Sequence, residues 1–110
     1  METDSNDPDF RVVIAETPDV LIVLFWGNVT AEEVPQLEDT LTKINGKPQR
    51  IVIFNFRDVP DFAAAAHPFL VEIQRDLRSQ QRVFGLCGLR PEVRTTLTGA
   101  GIVREGEIFN

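Results

Sequence analysis

Ile51-Val52-Ile53-Phe54-Asn55-Phe56-Arg57-Asp58-Val59-Pro60-Asp61-Phe62-Ala63-Ala64-Ala65-Ala66-His67-Pro68 joins three kinds of segment in one short passage. Its first six residues are almost all β-branched or aromatic, which predicts a buried strand. Arg57 to Asp61 sets a proline between two acids and reads as a loop. Beyond it Phe69, Leu70, Ile73 and Leu77 recur at helical spacing, so a helix is predicted to about Gln80. The helix start stays open: either the alanines are already helical, or His67 caps and Pro68 is the first helical residue. A strand running into a helix is where α/β domains place their working surface. Here that junction holds four alanines, which bring no nucleophile, acid, base or metal ligand.

Upstream, Phe10 to Ala15 suits a strand, and Thr17-Pro18-Asp19 is turn chemistry. Val20-Leu21-Ile22-Val23-Leu24-Phe25-Trp26 is apolar without alternation, which predicts a strand buried on both faces. Gly27-Asn28 ends it, and Thr30 with Glu33 three residues later forms a capping box. The following helix carries Val34, Leu37, Leu41 and Ile44 on one face, has Pro35 in or near its first turn, and stops at Asn45-Gly46-Lys47-Pro48. Downstream, Arg82 to Cys87 reads as a strand and Gly88-Leu89-Arg90 as a loop. Pro91 opens a short helix with Val93 and Leu97, closed by Gly99 and Gly101, and Ile108-Phe109 is a last short strand or tail. The order β-β-α-β-α-β-α-β predicts a single α/β domain: a mostly parallel sheet of four to five strands with helices packed on it.

The chain has 110 residues, 43% of them apolar and 25% charged, which fits one globular domain with a real core. The net charge of -6 lies wholly within residues 1–60, where Glu2, Asp4, Asp7 and Asp9 crowd the start. Residues 1–8 are therefore expected to be a disordered acidic arm, and 9–110 the folded domain. No basic stripe is present, so nucleic acid is not an expected partner. The longest apolar run is seven residues, too short for a bilayer, and no secretory pattern opens the chain. The single cysteine, Cys87, excludes an internal disulfide and fits a reducing compartment, so a cytoplasmic location is expected.

Each residue with chemistry also has a plain structural reading. His67, the one histidine, is either a partner-contacting residue at the helix start or a cap beside Pro68. Cys87 in an apolar strand reads as a small hydrophobe. Asp58 and Asp61 either meet a basic partner or are solvated turn residues. Arg75, Arg78 and Arg82 are interleaved with Glu72 and Asp76 and read as a solvated face. Trp26 reads as core, whereas Phe62 is either an exposed anchor or buried. Gly85-x-x-Gly88 lacks the third glycine and the helix of a phosphate loop. One histidine, one cysteine and two serines assemble no catalytic set, so no enzyme activity, cofactor or metal is expected.

Three passages in order resemble the STAS family, the domain of bacterial anti-sigma-factor antagonists. Trp26-Gly27-Asn28-Val29-Thr30 is similar to its strand-Gly-x-Leu-Asp-helix passage, with Thr30 in place of Asp. Asn55-Phe56-Arg57-Asp58-Val59-Pro60-Asp61-Phe62 looks like its Asp-Leu-Ser-x-Val-x-Phe-Ile passage. The stretch from Gly88 through Pro91, Val93, Leu97 and Gly101 to Ile102 is similar to its closing Pro-x-Val-x-x-x-Leu-x-x-x-Gly-Leu. The family signature after the central strand is Asp-Ser-Ser-Gly, whose serine accepts phosphate in the antagonists that switch. Ala63 falls on the Asp, Ala64 and Ala65 on the serines and Ala66 on the Gly, while His67-Pro68 replaces Leu-Gly.

The resemblance thus implies a regulatory module without its phosphoacceptor. Its expected partner is a protein: an anti-sigma factor of kinase-like fold, or another STAS protein. The docking surface is expected to hold Asp58, Asp61, Phe62, Ala63, Ala64, Ala65, Ala66 and His67, within residues 57–69. The alternative is a scaffold subunit acting through homodimers or larger assemblies, and a small-ligand sensor is a third possibility.

Overall fold

Every apolar run becomes a strand, and every stretch of helical spacing a helix. In a computed structural model, residues 10–109 are described, so the arm expected at 1–8 lies outside the described residues. The strands are β1 (Arg11–Glu16), β2 (Val20–Trp26), β3 (Ile51–Asp58), β4 (Val83–Cys87) and β5 (Ile108–Phe109). The helices are α1 (Val34–Asn45), α2 (His67–Ser79) and α3 (Pro91–Gly99), each of α1 and α2 preceded by a single 3-10 turn. The predicted order of elements is the observed one, with β1 one residue further along and Phe10 buried ahead of it.

The sheet runs β1-β2-β3-β4-β5. β1 and β2 form an antiparallel hairpin, and the later neighbours pair in parallel. This order has one large consequence. Each of the three parallel crossovers steps to the next strand in the same direction. Right-handed crossovers that all step one way place their helices on the same face of the sheet.

Burial obeys that rule. Leu21, Val23 and Phe25 of β2, Val52, Phe54 and Phe56 of β3, and Phe84 and Leu86 of β4 are buried, and the register lines them up across the sheet. The residues between them, such as Ile22, Leu24 and Ile53, remain partly exposed. The molecule measures 36 × 33 × 21 Å. Its thin dimension matches one sheet and one helical layer of about 10 Å each. The expectation that β2 is buried on both faces is therefore corrected: the crossovers all cover one side. Trp26 belongs to the open side too. It is partly exposed with the Arg11 guanidinium 5.2 Å above its ring, rather than in the core.

On the covered side the core is aromatic. Phe54 sits edge-on to Phe25 at 5.2 Å and to Phe84 at 5.3 Å, and stacks on Phe69 of α2 at 5.9 Å. α1 contributes Leu37, Leu41 and Ile44, α2 Leu70, Ile73 and Leu77, and α3 Val93 and Leu97. Each such side chain contributes about 1.5–3 kcal/mol on burial. The two glycines of Gly85-x-x-Gly88 serve the sheet. A Cβ on Gly85 would stand 2.2 Å from the Phe109 ring, and Gly88 turns with φ 73° where a Cβ would lie 2.8 Å from the Arg57 amide nitrogen.

Candidate functional site

The helices after β2 and β3 both begin at the carboxyl end of the sheet, and their starts are stitched together. The Val29 N–H donates to the Asp61 carbonyl at 3.0 Å, and the Ala63 N–H donates to the Val29 carbonyl at 2.8 Å. A bridge between Val29 and Phe62 continues the parallel pairing past the ends of the strands. β3 carries one extra residue against β2, since Leu24 pairs with Asn55 but Trp26 with Asp58. Such a bulge bends the strand and re-aims the chain beyond it.

The two starts differ in chemistry. Ahead of α1, Thr30 Oγ accepts the Glu32 N–H at 3.2 Å, and Glu33 Oε1 accepts both the Thr30 N–H at 2.7 Å and its hydroxyl at 2.6 Å. This is the expected capping box, with Glu33 fully buried. Ahead of α2, Ala63 is extended (φ −69°, ψ 151°), Ala64–Ala66 form a 3-10 turn, and no side chain caps it. His67 is already helical (φ −57°, ψ −39°), with Pro68 beside it in the first turn of α2. Of the two readings of this start, the alanines from Ala64 onward are helical and His67 is not a cap.

The eight residues expected at the docking surface divide by burial. Asp61, Ala64 and Ala65 are exposed, while Asp58, Ala63 and His67 are partly exposed. Phe62 and Ala66 are buried. Phe62 stacks on Phe56 at 5.3 Å and under the His67 ring at 5.9 Å, so of its two readings the core one holds. The His67 ring rides on this aromatic stack with Nε2 buried and making no hydrogen bond. Asp58 meets Arg57 at 3.8 Å, an exposed pair of small energetic weight.

A groove of about 590 Å³ runs along the outer side of this start, lined by Ala64, His67, Pro68, Val71, Glu72 and Arg75. Val71 was not singled out in the sequence, and Glu72 and Arg75 were expected only on a solvated face. The signal that could have found them was Val71: it is out of phase with the inward set Phe69, Leu70, Ile73 and Leu77, and 43% exposed. The arginines form no patch. Arg78 pairs with Glu107 at 2.6 Å. Arg82 turns inward, its Nε donating to the Gln49 carbonyl at 2.6 Å and Nη1 to the Ile44 carbonyl at 3.2 Å, and burial lowers its pKa. Burial raises the pKa of the Cys87 thiol, against a smaller opposing effect of Arg57. Among the described residues no helix is long and apolar enough to cross a membrane.

Most hydroxyls elsewhere among the described residues are engaged. Thr40 donates to the Gln36 carbonyl at 2.9 Å and is buried. Ser79 donates to the Asp76 carbonyl at 2.8 Å, at the far end of α2 from the alanines.

Known structures share this architecture. SpoIIAA, a Bacillus cell fate determinant solved in unphosphorylated and phosphorylated forms, is similar in the unphosphorylated form at 17% identity. That match covers 91% of this chain and 85% of SpoIIAA with a TM-score of 0.75. A glutamate-for-serine variant of RsbS from Moorella thermoacetica is 25% identical over 89% of this chain and 83% of its own, with a TM-score of 0.71. A sulfate transporter family protein from Wolinella succinogenes is 24% identical over 94% and 87%, with a TM-score of 0.73. No curated protein matches the sequence significantly. Residues 11–110 match the STAS domain family, and with that match spanning its strands and helices the chain belongs to this family.

Proposed function

We propose that this chain is a non-catalytic, cytoplasmic binding module of the anti-sigma-factor-antagonist kind, which docks a protein partner through the start of α2 and cannot be switched there by phosphorylation. One observation carries the reading. Ala64 and Ala65 stand exposed on the first turn after β3, the positions on which the resemblance puts the family's serines. A phosphate at such a place adds about 1.5–2 negative charges and three acceptor oxygens to a docking face. Alanine offers no hydroxyl, so binding is constitutive. The methyl groups also let a partner's backbone approach closely, while Val71 supplies an apolar contact and Glu72 and Arg75 flank it with both signs of charge. The partner implied is an anti-sigma factor of kinase-like fold. SpoIIAA solved with and without phosphate, and RsbS with glutamate for serine, are relatives in which this chemistry has been probed.

Titration of a purified anti-sigma factor from the same genome tests the reading, with Ala65→Asp as the variant. An acid in the first turn of a helix does not weaken it, so the fold is kept. Binding by the wild type and at least tenfold weaker binding by the variant are expected. Equal affinity for both places the docking face elsewhere. With kinase and ATP, no phosphate should reach the start of α2, and stoichiometric phosphate on Thr30 or Thr40 would overturn the constitutive model. The alternative of a scaffold subunit is favoured by a separate observation, the open side of the sheet.

A further inference from the structure

We propose that the uncovered face of the sheet is the seat of a second copy of this chain. The face carries Val13, Ile22, Leu24, Ile53, Val83 and Phe109, brought side by side by the strand register. Val13 is 46% exposed, Val83 47% and Phe109 41%. Four of the five strands pair in parallel, an arrangement usually covered on both faces, and β2 is apolar at every one of its positions. The chain thus has two faces that avoid water and crossover helices for one.

The occupant is set by the surroundings of the face. The nine residues ahead of Phe10 include four acids and one apolar side chain, Met1, and cannot supply an apolar cover. Charges stand at the ends of the face and not within it. At the carboxyl end Arg11 lies over Trp26 of β2, and the exposed Arg57 of β3 pairs with Asp58 at 3.8 Å. Asp19 and Arg50 line a hollow of about 390 Å³ at the opposite end, beside Ile51 and Val83. A neutral, apolar centre with mixed charge at its ends is complementary to itself. A two-fold axis across the strands brings the Arg11 end of one copy over the Asp19 end of the other, which is the isologous arrangement most homodimers use.

Area sets the strength. Four strands of five to eight residues and the short β5, about 4.8 Å apart, give a footprint of roughly 20 by 20 Å on each copy. Two such footprints give roughly 800 Å² of flat area, and more with side-chain relief, at the low end of specific interfaces. The pair is therefore an exchanging dimer rather than an obligate one.

Sedimentation equilibrium of the full chain is the test, from about 10 μM to 1 mM, the range of affinities such an area supports. The wild type should rise from monomer towards twice the monomer mass. The double variant Val13→Asp/Val83→Asp, at two half-exposed positions, should stay monomeric throughout. Val71→Asp, on the outer side of α2, should associate like the wild type. Circular dichroism checks that each variant is folded. A wild type that remains monomeric at 1 mM, or an association abolished by Val71→Asp and not by the double variant, overturns the proposal. Amide shifts on dilution of the wild type give a reading that needs no variant. Shifts at residues 13, 22, 24, 53 and 83 support the pair, and shifts confined to 64–75 overturn it.

Discussion

Two helices start side by side at the carboxyl end of the sheet, one capped and one bare. α1 comes after Thr30 and Glu33, whose side chains satisfy the free backbone donors of the first turn. α2 comes after Ala63 to Ala66, where no side chain does so. The two starts are held by the same stitching through Val29, so their geometry is shared and their chemistry is not. A helix start can thus be fixed by tertiary pairing when its local cap is missing. The bare start loses the cap itself, about 1 kcal/mol. In return it presents the exposed methyl groups of Ala64 and Ala65, which carry no hydroxyl to phosphorylate.

The largest break in this comparison should come from Glu33→Ala. It leaves the Thr30 N–H without its buried acceptor and should cost roughly 1–3 kcal/mol in urea unfolding; a cost near zero would mean that the capping box is not what holds α1. Thr30→Ala removes the other half and should cost about 1 kcal/mol. At the bare start the sign reverses. Ala63 is extended, as a cap residue must be, so Ala63→Asp should stabilise the protein by about 0.5–1 kcal/mol in the same experiment. Destabilisation there would show that the two starts are not equivalent in geometry. Ala65→Ser should change stability least, within about 0.5 kcal/mol. Its effect should appear instead as phosphate incorporation with a cognate kinase, while the parent chain takes none at that turn.

Much of this was legible beforehand because it depends on neighbours in sequence. The Thr30–Glu33 box, Pro35 in a first turn, and the helical spacing of Leu37, Leu41 and Ile44 are local matters, and the structure has them as read. The alanine start was visible too, with its lack of chemistry. Phe62 was not decidable: an aromatic beside alanines in a loop suits an anchor or a core position equally, and the bridge to Val29 decides between them. The groove residues Val71, Glu72 and Arg75 depend on the phase of α2 against the core, which only packing displays.

The sequence by itself determined the elements, their order, the capped start of α1 and the methyl surface ahead of α2, since each is set within a few residues of chain. Only the tertiary structure decided which side of the sheet is covered. An apolar run such as Val20 to Trp26 states that both faces of a strand avoid water, but not what will cover them. The direction in which the crossovers step places all three helices on one side. That choice leaves Val13, Leu24 and Val83 on the other side, where no helix among the described residues covers them.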